Sequence, residues 1–146
     1  MPELRWTVRA PLRPRFRDTD AMGHINNAVY VTYIEVARQE YWRAFKGDEN
    51  YRVVPFIFAR VEMDFRSEAL VHEMLELRIR CSFIGTKSFG FDYEIVEATT
   101  GRLVIAATSV QVFYDYAAKQ SIPCPPELRA QLEAFEGRSL SREVSS

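Results

Sequence analysis

The chain reads as an α+β protein, with one long helix laid on one face of an antiparallel sheet. Hydrophobic residues recur at three- and four-residue steps between positions 28 and 45, and at every second position through most of 53–114. Tight turns separate the alternating runs, so successive strands are expected as antiparallel neighbours, with the helix covering one face of their sheet.

The elements follow in order. Leu4 to Phe16 carries Trp6, Val8 and Phe16 among arginines and is interrupted by Pro11 and Pro14. Proline supplies no ladder donor, so this segment is expected as an irregular or edge strand. Asp18 to Asn27 is a loop, in which Gly23 is free to take a backbone angle that other residues resist. The helix runs from Ala28 to about Phe45. Tyr30, Ile34, Ala37, Tyr41 and Phe45 share one face with Tyr33 beside them, while Glu35, Gln39 and Arg43 lie on a polar face. Asn26 or Asn27 is expected to cap its first turn, and Gly47-Asp48-Glu49-Asn50 ends it. The next strand starts at Val53 and contains Phe56, Phe58, Met63 and Phe65, with an irregularity near Arg60-Val61. Leu75, Leu77, Ile79, Cys81 and Phe83 then alternate with Glu76, Arg78, Arg80 and Ser82. Gly85-Thr86-Lys87 turns the chain, Phe89, Phe91, Tyr93 and Ile95 alternate again, and Thr99-Thr100-Gly101 makes a second turn. Leu103 to Tyr114 is apolar on both alternating faces, which predicts a central strand covered on both sides. After Pro123, Pro125 and Pro126, Glu127 to Phe135 is a short C-terminal helix, and Gly137 to Ser146 is a polar tail expected to fray.

Bulk properties narrow the function. A chain of 146 residues suits one domain with a proper core. The formal net charge of −1 disfavours a dedicated nucleic-acid role. Aromatic residues at 13% suit a β-rich fold or one lined for an apolar ligand. No apolar run approaches the roughly 18 residues of a membrane span, and the N-terminus lacks the apolar core of a secretory signal. Cys81 and Cys124 stand apart with no CxxC spacing, so a reduced, cytoplasmic protein is expected. No local spacing assembles a metal site, and neither a metal nor a cofactor is expected.

The stretch Arg17-Asp18-Thr19-Asp20-Ala21-Met22-Gly23-His24-Ile25-Asn26-Asn27 holds most of the chemistry. Free amides and the positive dipole end at a helix start stabilise negative charge. A carboxylate a few residues upstream can then face a carbonyl whose oxygen points at those amides, which is an arrangement for acyl transfer or hydrolysis. The plain alternative is a well-capped helix preceded by turn-forming acids.

Asp18 through Tyr30, with Tyr33-Ile34-Glu35 and Ala37-Arg38 after it, resembles the signature of the 4-hydroxybenzoyl-CoA thioesterase-like acyl-CoA thioesterases. Val61-Glu62-Met63-Asp64-Phe65 and Gly85-Thr86-Lys87-Ser88-Phe89 are similar to later segments of that family. The resemblance spans roughly Arg13 to Tyr114 and implies a hotdog fold. It also implies Asp20 as catalytic carboxylate and the Asn27 amide as the group polarising the thioester carbonyl of an acyl-CoA substrate. Thr86, Lys87 and Ser88 match positions that contact the nucleotide and phosphate part of coenzyme A, and the family builds its sites across homodimers that often pair into tetramers. The sequence departs from the pattern at Asn27, where relatives commonly carry Tyr or His, so the resemblance names no acyl group. It departs also at Arg66-Ser67-Glu68-Ala69, which lacks a frequent proline, and at His72-Glu73.

Aspartate is ionised at neutral pH without help. Asp20 can attack the thioester itself or orient a water as general base. Asp18 is expected to stabilise the turn, and His24 either assists proton transfer or holds the loop. Gly23, Asn26 and Tyr30 are expected beside the substrate. Met22, Tyr30, Tyr33, Phe58 and Phe91 line an acyl pocket or form plain core. Glu35 is expected to pair with Arg38 or contact Gln39 rather than order a water, and Lys87 is either solvated in its turn or joined by Arg78, Arg80 or Arg60 around a phosphate. Two other functions fit the same architecture: an acyl-thioester dehydratase, which needs a differently placed histidine, and a non-catalytic acyl-CoA sensor, which has no use for Asp20.

Overall fold

Six strands, the last only two residues long, pair into one antiparallel sheet, and a long helix lies across its inner face. The structure, a computed structural model, describes residues 5–47 and 56–141. Strand β1 (Val8–Leu12) is followed by a 3-10 turn at Phe16–Asp18 and helix α1 (Val29–Lys46). Strands β2 (Phe56–Phe65), β3 (Leu75–Ile84), β4 (Ser88–Glu97) and β5 (Leu103–Asp115) come next, then β6 (Gln120–Ser121) and helix α2 (Pro126–Glu136). The spatial order is β1-β3-β4-β5-β2, with β6 paired to β5. β3, β4 and β5 form the expected meander. β2 is not its first strand; it pairs with β5 and forms an edge. Alternation assigns each strand a face but not a neighbour, so this placement had no local signal.

Leu75, Leu77, Ile79 and Cys81 of β3, Phe89, Phe91, Tyr93 and Ile95 of β4, and Ile105, Ala107 and Phe113 of β5 are buried in one core with Tyr30, Tyr33, Ile34, Ala37, Tyr41 and Trp42 of α1. Aromatic edges join the layers: Tyr41 meets Phe91 with ring centroids 4.8 Å apart, and Trp42 meets Phe89 at 6.2 Å. The outer face carries charge. Arg78 lies between Glu76 and Glu94 at 2.7 and 3.4 Å, and Arg80 lies 3.0 Å from Asp92. β5 is therefore central in position but covered on its inner face only. Thr108 is exposed and Ala106 and Val110 are half-buried on the outer side, because both helices join the inner core.

β1 is the other edge, with Pro11 opposite Glu76 of β3, a place where a missing donor is tolerated. The irregularity expected near Arg60 is a register shift between Phe58 and Arg60. A second shift lies between Cys81 and Phe83, inside an unbroken alternation of sequence. Helix α1 begins at Val29 with Ala28 in the cap position and no side chain closing the first turn. Neither Asn26 nor Asn27 is the cap; Asn26 Oδ1 instead accepts the Ala28 amide at 3.0 Å, a side-chain turn leading into the helix. Gly47 ends α1 at a φ of 89°. The expected helix stop at Asp48–Asn50 and the strand start at Val53 lie outside the described residues.

The tail from Gly137 is packed rather than frayed as far as Ser141. Leu140 is buried, its carbonyl accepts the Ile84 amide at 2.8 Å, and its amide donates to Glu133 Oε2 at 2.7 Å. Leu140 is the single apolar residue between Gly137 and Ser141, too little to register as periodicity. Glu136, at the end of α2, is also buried. It accepts hydrogen bonds from the Thr7 hydroxyl at 2.6 Å, the Tyr41 hydroxyl at 2.7 Å and the Cys81 amide at 2.9 Å. One carboxylate thus ties α2 to α1, to β3 and to the residue before β1.

Candidate active site

The loop between Asp18 and Asn27 is built by its own polar groups. The Asp20 amide donates to the His24 carbonyl at 2.8 Å and the Gly23 amide to the Asp20 carbonyl at 3.2 Å. Asp20 Oδ1 accepts the amides of Met22 and His24 at 2.8 and 3.2 Å. Gly23, at a φ of 81°, takes the left-handed angle that the reversal requires. The Thr19–Ile25 bridge closes the loop on itself, and the His24–Leu70 bridge, with the Ile25 amide on the Ala69 carbonyl at 2.9 Å, ties it to the turn after β2.

The two acids have different surroundings. Asp18 is buried, and its Oδ2 accepts the Arg15 amide at 2.9 Å and the Tyr33 hydroxyl at 2.7 Å, with the Arg15 guanidinium 3.5 Å from Oδ1. Burial alone raises the Asp18 carboxyl, but these donors and the guanidinium outweigh it and hold the group below the usual carboxylate value. Burial, with Asp18 alongside, pushes the Tyr33 phenol up. Asp18 thus braces the loop. Asp20 is exposed, and its Oδ2 has no hydrogen-bond partner among the described residues.

Beside Asp20 lies an open pocket of about 540 Å³. Asp20, His24, Ile25, Asn26, Asn27 and Tyr30 form one wall, and Phe65, Arg66, Ser67 and Glu68 form the other. The amides of Ala28, Val29 and Tyr30 are engaged by the Asn26 side chain, the Asn26 carbonyl and the Asn27 carbonyl. The Asn27 amide has no such partner among the described residues. It stands just before an 18-residue helix, where the dipole is positive. His24 Nε2 lies 3.1 Å from Glu68 Oε2, joining the two walls. Arg102 braces the second wall through Ser67 Oγ at 3.2 Å, the Glu68 carbonyl at 3.0 Å and Glu73 at 2.9 Å. The Arg102 contact holds the Glu73 carboxyl below its ordinary value. An unpartnered carboxylate oxygen is a group that can act as nucleophile or base, and an unpartnered amide one that can donate to an oxyanion; Asp20 and Asn27, which carry them, line the same pocket.

Residues 14–132 match the model of the thioesterase-like superfamily. The chain belongs to this superfamily. It is 21% identical over 131 residues to the long-chain acyl-CoA thioesterase FadM of Escherichia coli K12, covering 86% of this chain and 97% of FadM. It is 29% identical over 98 residues to the acyl-CoA thioester hydrolase YbgC of Escherichia coli O6:H1, covering 65% of this chain and 70% of YbgC. A thioesterase from Thermus thermophilus, solved with coenzyme A and Zn, superposes with a TM-score of 0.82 at 29% identity, over 92% of this chain and 98% of that one. The expected hotdog architecture is the one observed.

Within this thioesterase-like fold, Asp20, His24, Asn26, Asn27 and Tyr30 come together at one end of the sheet. Gly23 shapes the loop without lining the pocket. Thr86, Lys87 and Ser88 lie at the β3–β4 turn, the opposite end of a ten-residue strand, roughly 30 Å away at about 3.3 Å per residue. There the Thr86 and Lys87 carbonyls accept the Cys124 and Phe113 amides, each at 2.8 Å. The arginines expected around Lys87 are engaged elsewhere: Arg78 and Arg80 in the outer-face pairs, and Arg60 with Glu62. Of the expected acyl-pocket residues only Tyr30 lines the pocket. Met22 is exposed, Tyr33 and Phe91 are core, and Phe58 stands open on β2. Arg38 does not pair with Glu35; it turns inward to the Tyr93 hydroxyl at 3.3 Å and the Phe58 ring at 4.4 Å.

The wall from Phe65 to Glu68, and Arg102 behind it, were not foreseen. The turn itself is visible in sequence, but its apposition to His24 is a contact across more than forty residues of chain. Among the described residues no group of three or more His, Cys, Asp or Glu is arranged to hold a metal ion, and no helix is long and apolar enough to cross a membrane.

Proposed function

We propose that this member of the thioesterase-like superfamily hydrolyses acyl-CoA thioesters to a free acid and coenzyme A, with Asp20 as catalytic carboxylate and the Asn27 amide as oxyanion donor. The observation that carries the reading is that Asp20 and Asn27 line a single open pocket, while Asp20 Oδ2 and the Asn27 amide have no hydrogen-bond partner among the described residues. Either Asp20 Oδ2 or a water activated by it adds to the thioester carbon. Charge then develops on the carbonyl oxygen beside the Asn27 amide, a donor worth about a hundred- to a thousand-fold in rate. The C–S bond breaks and the coenzyme A thiolate leaves. Where Asp20 itself has added, water cleaves the mixed anhydride and returns the carboxylate. His24, held by Glu68, is close enough to the loop to serve proton transfer, while Asn26 and Tyr30 bound the acyl carbonyl and Gly23 sets the loop angle.

Neither a metal nor a further cofactor is part of this reading. Purified protein is expected to release one thiol and one free acid per acyl-CoA consumed, across a panel of short, long and aromatic acyl groups and undiminished by EDTA. A changed enoyl absorbance without thiol would assign a dehydratase, tight binding without thiol would assign a sensor, and loss of activity in EDTA would overturn the metal-free mechanism.

The site is further read as shared between two copies. The outer edge of β2 has no strand partner among the described residues, and Ile57, Phe58 and Phe65 on β2 are 38%, 41% and 52% exposed. A long apolar edge of this kind favours pairing with another strand. Thr86, Lys87 and Ser88 are too far from their own Asp20 to contact the same coenzyme A, which supports their serving the partner's site. Sedimentation at twice the monomer mass, or four times for paired dimers, is the expected result, and a monomer at assay concentration would contradict it. Cys81 and Cys124 are free thiols, in keeping with the cytoplasmic location proposed.

A further inference from the structure

Phe65, Met63, Val61 and Phe58 of β2 stand opposite Ile105, Ala107, Ser109 and Gln111 of β5, so all four share the inner face of the sheet. They are incompletely covered: Phe58 and Phe65 are exposed, and Val61 and Met63 are half-buried. The strip is continuous with the Asp20 pocket, because Phe65 belongs to the pocket wall and its ring lies 6.0 Å from that of Tyr30. Its far end is closed by Arg38, whose guanidinium carbon lies 4.4 Å from the centre of the Phe58 ring. Arg38 is eight residues beyond Tyr30, or about 12 Å along the helix axis.

Arg38 is half-buried and makes no ion pair among the described residues. A partly desolvated cation without a counter-charge is unfavourable. Stacking on Phe58 and one hydrogen bond, from Nη1 to the Tyr93 hydroxyl at 3.3 Å, fix the guanidinium and leave most of its five donors unused. A polar chain continues behind it into the core. The Tyr93 hydroxyl lies 2.5 Å from Ser109 Oγ, which accepts Gln111 Nε2 at 2.6 Å. Gln111 is fully buried, and its Oε1 has no partner among the described residues. Burial pushes the Tyr93 phenol up, so it remains a neutral hydroxyl. A strip that received only alkyl chains would have no use for a fixed cation and a buried polar chain at its end.

We propose that the acyl group lies along this strip and that Arg38 binds a carboxylate at its distal end, making ω-carboxyacyl-CoA thioesters of intermediate length the preferred substrates. The inference rests on reading the Asp20 pocket as the thioester site. Its test is the ratio of kcat/KM for ω-carboxyacyl-CoA over alkyl-CoA of the same length, measured by thiol release. The wild-type ratio is expected to exceed one by about tenfold to a hundredfold, the size that hydrogen bonding to a charged group gives at a half-buried site. Arg38→Met is expected to bring the ratio to about one, mainly through KM for the carboxylated substrate, and Arg38→Lys to restore part of it. A wild-type ratio near one overturns the proposal while leaving the thioesterase reading intact. Equal losses on both substrates in Arg38→Met, or altered sedimentation with an unaltered ratio, would assign Arg38 to structure or to the interface between copies. Thiol release from no substrate at all would instead defeat the thioesterase reading, and the inference with it. Should Arg38→Met fail to fold, the wild-type ratio alone decides.

Discussion

Asp20→Asn is expected to lower kcat for thiol release by about a hundred- to ten-thousand-fold, the range for a positioned acid–base group, while acyl-CoA affinity changes little. The side chain has two separable tasks. Oδ1 organises the loop by accepting the Met22 and His24 amides, and an asparagine oxygen can do the same. Oδ2 has no hydrogen-bond partner among the described residues, and an amide nitrogen in its place supplies neither a nucleophile nor a base. Loop, pocket and helix start are therefore retained and the loss is expected in kcat rather than KM. Steady-state thiol release, with calorimetry on a non-hydrolysable acyl-CoA analogue, checks both halves. A variant that binds as the wild type does and turns over at the wild-type rate would remove Asp20 from the mechanism.

Glu136→Ala is expected to destabilise the fold by about 2–4 kcal/mol, because buried donors left without an acceptor cost about 1–3 kcal/mol each. Its carboxylate satisfies the Thr7 and Tyr41 hydroxyls and the Cys81 amide, with Arg138 Nη2 3.8 Å from Oε1 as the nearby cation. Alanine leaves the donors without acceptors and opens a void beside Tyr41, whose ring centre lies 4.8 Å from that of Phe91 and 5.3 Å from that of Phe135. The lost contacts join α2 to the C-terminal half of α1, remote from the Asn27 end, so the folded fraction is expected to keep its kcat. Urea unfolding measures the first effect and thiol release under stabilising conditions the second. A change in stability below about 1 kcal/mol would mean that Glu136 is dispensable to the packing of α2.

These two residues mark what the sequence made legible. Asp20 was accessible because its loop is local: acids, a glycine and asparagines within ten positions specify a reversal leading into a helix, whatever the rest of the chain does. The α1 face and the β3–β4–β5 meander were legible for the same reason, since period and turn chemistry are short-range properties. Glu136 was not, because a glutamate ending an amphipathic helix looks solvated until Thr7, Tyr41 and Cys81 converge on it from three other parts of the chain. The pocket shows the same division. His24 could be named from its loop, but Glu68 and Arg102, which give it a partner and brace the facing wall, are set by the path of β2 and β5. Arg38 looked like one half of an i, i+3 pair with Glu35 and turned instead toward Tyr93, a choice that depends on what lies under the helix. The cap expected from Asn26 or Asn27 failed on a smaller scale. Asn26 does accept an amide, but that of Ala28, before the helix begins, and the Asn27 amide is left without a partner among the described residues.

A single turnover probes the proposed role of Asp20 without interference from other steps. Enzyme in excess over acyl-CoA isolates bond breaking from substrate capture and product release, and a rapid quench followed by thiol and free-acid analysis reports it. The wild type is expected to convert its bound thioester within the first turnover, whereas Asp20→Asn holds the same thioester intact and recoverable. Thiol released by Asp20→Asn at the wild-type rate, or an intact thioester recovered from the wild type, would contradict a catalytic carboxylate at this position.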